Sequence, residues 1–337
     1  SELDADTSAP VTAAEESCLQ EQGSLSRTNR WLTPVLLLAG FVILLFFLAR
    51  SNLVDEYGII LGINPALFAF AFILSLVSIG VKVVRWQYLS AHYGTPVSWY
   101  HAALASVPSL FFANITPGKA GDLYKAYYMR KRHLLAYLNG ISMIFYERFS
   151  ELSLLFLVGA LFLFASADES IVIMLEATLI ILLVLVAVYW RADLVLERLK
   201  RVLVRLPFTT PEICGELQIR KLTLAPLTGV FALTLVSLVL EFVRLWVVVQ
   251  ALGYSLSLLD AAVFLSIAVI AGLVSQIPLG IGVMEGSLDY LLRSVGFDPA
   301  GSMAIVLTDR MISMYFALVL GFGVSKFAFD EMERGTR

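Results

Sequence analysis

Charge is scarce in this chain. Only 15% of its 337 residues are Asp, Glu, Lys or Arg, against 59% hydrophobic, and the mean hydropathy is +0.83. No soluble domain of this length has that balance, so the composition predicts an all-α integral membrane protein. Cysteine is nearly absent. Cys18 and Cys214 are remote in sequence and offer neither a metal-ligand spacing nor a disulfide framework. Histidine is equally sparse: His92, His101 and His133 are too scattered to ligate a metal. The first 29 residues lack an apolar core, which argues against a cleaved signal and for a polar, disordered tail. Nothing suggests a cofactor, a metal or a nucleic-acid partner.

What the chain does have is apolar runs. A helix needs about 20 residues to cross the hydrocarbon layer, and six segments qualify: Trp31–Ala49, Pro65–Val84, Leu134–Ala165, Ser170–Trp190, Leu222–Gln250 and Ala300–Lys326. Two shorter runs, Ser98–Phe112 and Leu259–Val274, each lead into a Pro/Gly turn and a short second helix, Ala120–Met129 or Val283–Leu292. Broken backbone at membrane depth is tolerated only inside protein or beside water, so both read as re-entrant hairpins. The expected organisation is a tail at 1–29, a first half at 30–190 with its hairpin at 98–129, a basic loop at 191–221, a second half at 222–328 with its hairpin at 259–292, and a tail at 329–337.

Lys and Arg fix the expected orientation. They cluster at Arg27 and Arg30, at Arg130-Lys131-Arg132, through the Arg191–Lys221 loop and at Lys326, Arg334 and Arg337. The alternating loops carry Asp55, Glu56, Asp168 and Glu169, with a lone Arg293. The positive-inside rule then puts both termini on the cytoplasmic side of the cell's inner membrane. Within the basic loop, Leu194–Arg201 is amphipathic and suits the anionic inner leaflet.

The halves repeat. Lys82 and Glu241, and Arg85 and Arg244, are 159 residues apart; Pro117 and Pro278, and Gly121 and Gly282, are 161 apart; Glu147-Arg148 and Asp309-Arg310 are 162 apart. On the expected topology the two units run in opposite senses, an inverted repeat of the kind that places a transport site between its halves. Intramembrane charge is costly and therefore a functional signal. It singles out Arg85, Lys119, Asp122, Glu147, Arg148, Glu151, Glu241, Arg244, Glu285, Asp309 and Arg310 as substrate-binding candidates, with Pro117, Gly118, Gly121, Pro278, Gly280 and Gly282 shaping the turns. The basic members suit an anionic group, and the carboxylates would hold them while the site is empty. Gly118–Asp122 superficially resembles the Gly-x-Gly-Asp of intramembrane aspartyl proteases, but the spacing is wrong by one residue.

Together these motifs resemble the transmembrane flippase domain of lysylphosphatidylglycerol synthases and its stand-alone relatives. The likeness rests on Pro117-Gly118-Lys119-Ala120-Gly121-Asp122, on Glu147-Arg148, and on the turn from Pro278 to Glu285, where Leu279 stands at a position the family usually gives to Gly. It covers roughly residues 31–328. It implies a lipid flippase without the synthase domain, hence not an enzyme, translocating an anionic or aminoacylated headgroup (an aminoacylated phosphatidylglycerol, another phospholipid or a polyprenyl-phosphate lipid), with a homodimer as its expected assembly. Two other classes fit the charges less well: a membrane enzyme using Glu147 or Asp309 as acid/base, and a non-catalytic scaffold.

Overall fold

The computed structural model describes residues 58–165 and 222–334, together with positions 183, 184, 187, 189–191, 194, 197 and 198. The expected first span, most of the fourth, most of the basic loop and the N-terminal tail lie outside the described residues; the tail expected from 329 instead continues the last helix to Arg334. Among the described residues there are helices and turns and no strands. In order they are α1 (Pro65–His92), α2 (Trp99–Ile115), a 3-10 turn (Pro117–Asp122), α3 (Leu123–Lys131), α4 (Tyr137–Ala165), α5 (Leu224–Ala251), α6 (Leu258–Val274), a second 3-10 turn (Pro278–Gly280), α7 (Val283–Ser294), α8 (Pro299–Arg310), a π turn (Met311–Tyr315) and α9 (Phe316–Arg334).

Among the described residues, three helical stretches are long and apolar enough to cross a membrane: α1, α5 and the continuous rod Pro299–Glu333 formed by α8 and α9. Their polarity is inverted relative to a soluble helix. α1 buries Ser75, Ser78 and Arg85 while exposing Phe70, Ile73, Val77 and Val84; α5 buries Thr234, Ser237 and Arg244 while exposing Leu235, Val236 and Val239. In water that arrangement would leave a large apolar surface wet, and in lipid it satisfies both faces. These are the helices of an all-α membrane protein.

The span expected to end at Val84 continues to His92. Arg85 looks like a terminus in sequence, yet it is buried, and Trp86 and Leu89 beyond it are fully buried. Its counterpart Arg244 likewise sits inside α5, short of the end at Ala251. Asn64 starts α1 by accepting from the N–H groups of Ala66 (3.0 Å) and Leu67 (3.3 Å), and Pro65 costs nothing at the first helical position.

α1 and α5 form the central pair, and their contacts show how the repeats are related. Asn64 N donates to Ala251 O (2.9 Å) at one end. At the other, Arg85 Nη1 donates to Thr234 Oγ1 (2.9 Å) and the Tyr88 hydroxyl abuts Gly229. Rising numbers on α1 meet falling numbers on α5, so the helices are antiparallel. Midway, Ser78 Oγ lies 3.2 Å from Ser237 Oγ and Lys82 Nζ donates to Glu241 Oε1 (2.7 Å). Each of these pairs joins residues separated by the repeat distance of 159. Equivalent residues of antiparallel helices touch only at a two-fold axis, so a pseudo-two-fold passes between these side chains, perpendicular to the helices.

The hairpins flank this pair. α2 starts on the Ser98 hydroxyl and α6 on that of Ser257, again 159 apart. Both turns pass through two successive left-handed residues: Gly118 (φ +60°) and Lys119 (φ +57°) in the first, Leu279 (φ +65°) and Gly280 (φ +62°) in the second. The two turns touch each other, Gly118 facing the Gln276 side-chain oxygen. Gly121 has no substitute here, because a Cβ would strike the Phe112 carbonyl. The repeats are packed unequally. α2 lies directly on α9, where Gly321 brings the helix against Val107 O and Phe111 N. In the other unit α6 likewise packs on α4, but at Gly159, the counterpart of Gly321, no described neighbour comes within 4 Å of where a Cβ would sit.

Candidate functional site

Between the two turns and the α1–α5 pair lies a cavity of about 200 Å³, room for a cluster of waters or a polar headgroup. Its walls carry the cations Lys82, Arg85, Lys119, Lys125, Arg148, Arg244 and Arg310 and the carboxylates Asp122, Glu151, Glu241 and Asp309. Nine of the eleven candidate charges thus line one space. Glu147 and Glu285 stand behind the wall, each bonded to an arginine in it. Of the turn residues, Gly118 and Gly280 line the cavity, whereas Pro117, Gly121, Pro278 and Gly282 shape the backbone outside it.

The ion pairs repeat with the fold. In the first unit Arg85 Nε on α1 donates to Glu147 Oε1 on α4 (3.1 Å), and Arg148, the next residue after Glu147, donates to Asp122 at the end of the turn. In the second, Arg244 Nε on α5 donates to Asp309 Oδ1 on α8 (2.9 Å), and Arg310 Nε reaches back to Glu285 Oε1 (2.7 Å). The acid-arginine dipeptide therefore works as a two-way clasp: its acid holds the central helix and its arginine holds the hairpin. Adjacent helical residues point about 100° apart, so one dipeptide can address two neighbours at once.

Each clasp has additions of its own. Arg148 also donates to Glu151 (2.6 Å). Glu147 accepts a second bond, from Lys125 Nζ on α3 (2.7 Å), and Lys125 sits over the Trp86 ring, 5.2 Å from its centre. On the other side Arg310 Nη2 donates to Leu279 O (2.7 Å), while Glu285 Oε2 accepts from the Gly282 N–H (2.7 Å) and caps α7. The π turn begins right after Arg310, and the Ile312 carbonyl within it accepts from Ser75 Oγ of α1 (3.3 Å). Such turns recur at functional sites.

Sequence reasoning passed over Lys125 and did not place Lys82 in the site. Both were within reach: Lys125 follows Asp122 by three positions on one helix face, and Lys82 precedes Arg85 by three. The polar lining from Ser78, Ser106, Ser109, Asn114 and Gln276 gave no comparable signal, since isolated Ser and Asn in apolar helices commonly bond back to their own turn, as Ser109 does to Ser106 O (2.7 Å).

The Leu279 position carries a strained residue. A left-handed conformation costs an L-residue roughly 1–2 kcal/mol that glycine avoids. Leu279→Gly is therefore expected to stabilise the fold by about 1 kcal/mol net of glycine's chain entropy, read as a higher unfolding midpoint in detergent. A lower midpoint would mean that the leucine side chain contributes more than its backbone costs.

Comparison with known proteins agrees with this architecture. The family model described as the lysylphosphatidylglycerol synthase TM region matches residues 31–321. A UPF0104 membrane protein of Methanocaldococcus jannaschii is 28% identical over 225 residues, covering 65% of this chain and 93% of the relative. A second from that organism is 20% identical over 314 residues, with 86% and 93% covered. One from Methanothermobacter thermautotrophicus is 25% identical over 277 residues, with 76% and 81% covered. The match spans both hairpins, both clasps and the central helix pair, and the chain belongs to the family of the lysylphosphatidylglycerol synthase transmembrane region.

Proposed function

We propose that this protein carries a lipid headgroup across the bilayer, the headgroup passing through the charged cavity while its acyl or prenyl tails stay in lipid. The observation that carries the proposal is the cavity itself: paired charges, costly at membrane depth, gathered where two broken hairpins from antiparallel repeats meet. Carriers built from inverted repeats bind substrate at that junction and alternate by rocking one repeat against the other. The unequal packing supports such a cycle. The first hairpin packs backbone-close on α9 at Gly321, whereas the second packs on α4 without such a close approach at Gly159 among the described residues, and exchanging these two arrangements would expose the cavity first to one side and then to the other. In this reading the clasps hold each hairpin to the central pair as it moves, and the protein acts as a carrier rather than an enzyme. In this reading it sits in the cytoplasmic membrane with both termini inside, the orientation that the distribution of Lys and Arg supports.

The test is translocation in proteoliposomes. Lipids with fluorescent headgroups are incorporated and a membrane-impermeant quencher is added. Vesicles containing the protein should lose inner-leaflet protection much faster than protein-free vesicles. Equal rates for every phospholipid and polyprenyl-phosphate lipid tried would overturn the proposal.

A further inference from the structure

The seven cations of the cavity outnumber by one the six carboxylates that line or back it. Lys82 is bonded to Glu241, Arg85 and Lys125 to Glu147, Arg148 to Asp122 and Glu151, Arg244 to Asp309, and Arg310 to Glu285. Lys119 lines the same cavity and, among the described residues, has no ion pair. The carboxylates within its electrostatic reach, Glu151 and Asp122, are already bonded to Arg148. The repeat does not duplicate this cation: the position 161 residues later is Gly280. A second, independent feature points the same way. The Ser106 hydroxyl also lines the cavity, is buried, and has no hydrogen-bond partner, although a buried hydroxyl left unpaired is destabilising.

From these two groups we infer that the cavity is built for one negative charge, Lys119 neutralising it and Ser106 donating to it, and that its ligand is a lipid with a monoanionic phosphodiester headgroup. This rests on the cavity being the headgroup path. A phosphodiester brings one charge and acceptor oxygens for both groups, and leaves the cavity neutral. A zwitterionic headgroup leaves the excess positive charge in place. A lysyl ester on the same phosphodiester makes the headgroup cationic and adds to it, so the aminoacylated lipid is the disfavoured one. In a water-poor cavity one uncompensated charge outweighs the difference between two similar polar headgroups.

Binding to the purified full-length chain in neutral detergent tests this directly. The probes are short-chain phosphatidylglycerol, phosphatidylcholine and lysylphosphatidylglycerol of equal chain length, and soluble glycerophosphoglycerol. Phosphatidylglycerol should bind about tenfold or more tightly than phosphatidylcholine, with the lysyl ester weakest. Lys119→Gln should bring phosphatidylglycerol down to the phosphatidylcholine level, Lys119→Arg should keep the preference, and Ser106→Ala should weaken it severalfold. Because Lys119 has no ion pair among the described residues, its neutralisation breaks none, and unfolding midpoints verify that the variants fold. Equal or tighter binding of phosphatidylcholine or the lysyl ester would overturn the inference, as would a preference that survives Lys119→Gln. Glycerophosphoglycerol binding as tightly as the lipid would assign the site to a soluble phosphodiester and overturn the lipid assignment. A retained lipid preference without translocation would overturn the carrier reading and leave the binding site standing.

Discussion

Asp309→Asn is expected to destabilise the protein by about 3–5 kcal/mol, the cost of leaving a buried arginine without its counter-ion. The Arg244 and Asp309 side chains are only 5% and 2% exposed, so water cannot take over the lost partner. Among the described residues the pair is also the one ion pair from the second dipeptide to the central helices, and its loss loosens α8 from α5. The doubly apolar variant Arg244→Met with Asp309→Leu should recover most of that loss, because it removes the charge along with its partner. Lys82→Met provides the contrast. Lys82 is 30% exposed, and Glu241 keeps the hydrogen bond from Ser78 Oγ (3.2 Å), so the cost should stay within about 1 kcal/mol. Unfolding by SDS titration of the four proteins measures all of this. A single variant no weaker than Lys82→Met would show that water enters the cavity far enough to solvate Arg244.

Arg148→Ala should slow headgroup translocation roughly a hundredfold, the equivalent of about 3 kcal/mol in a barrier. Its side chain is 29% exposed, which places it on the wall rather than behind it, and it joins Asp122 on the hairpin to Glu151 on the span. Truncation leaves two carboxylates facing the path without the arginine that bonded both, and Lys119 carries one charge against their two. An anionic headgroup then meets repulsion, and the hairpin loses its tie to α4. Arg310→Ala looks equivalent from the repeat but should behave differently. Arg310 is buried and also holds the Leu279 carbonyl, so its loss should show first as unfolding of the second turn. Rates normalised to folded protein separate the two: Arg148→Ala stays slow, whereas Arg310→Ala loses folded protein. Normal transport by Arg148→Ala would remove Arg148 from the path.

The composition, the alternation of apolar runs with Pro/Gly turns, and the repeat distances of 159 to 162 follow from the amino-acid sequence by itself. They determined that the chain is helical and membrane-bound, that its hairpins are broken, and which charges are out of place. These properties are local: a hydrocarbon environment penalises every unpaired charge and every broken helix turn wherever it stands. The sequence also aligned Glu147-Arg148 with Asp309-Arg310, but not what each residue holds. Pairing is a matter of packing, and only the tertiary structure decided that the acid reaches the central helix and the arginine the hairpin. The same holds for the two-fold between Ser78 and Ser237, for the contrast between Gly321 and Gly159, and for Lys125, which resembles any amphipathic-helix lysine until Glu147 is beside it. Lys119 is the clearest case. In sequence it is one of many basic residues; in the fold every other cation of the cavity has a carboxylate, and the site's net charge comes down to this one side chain.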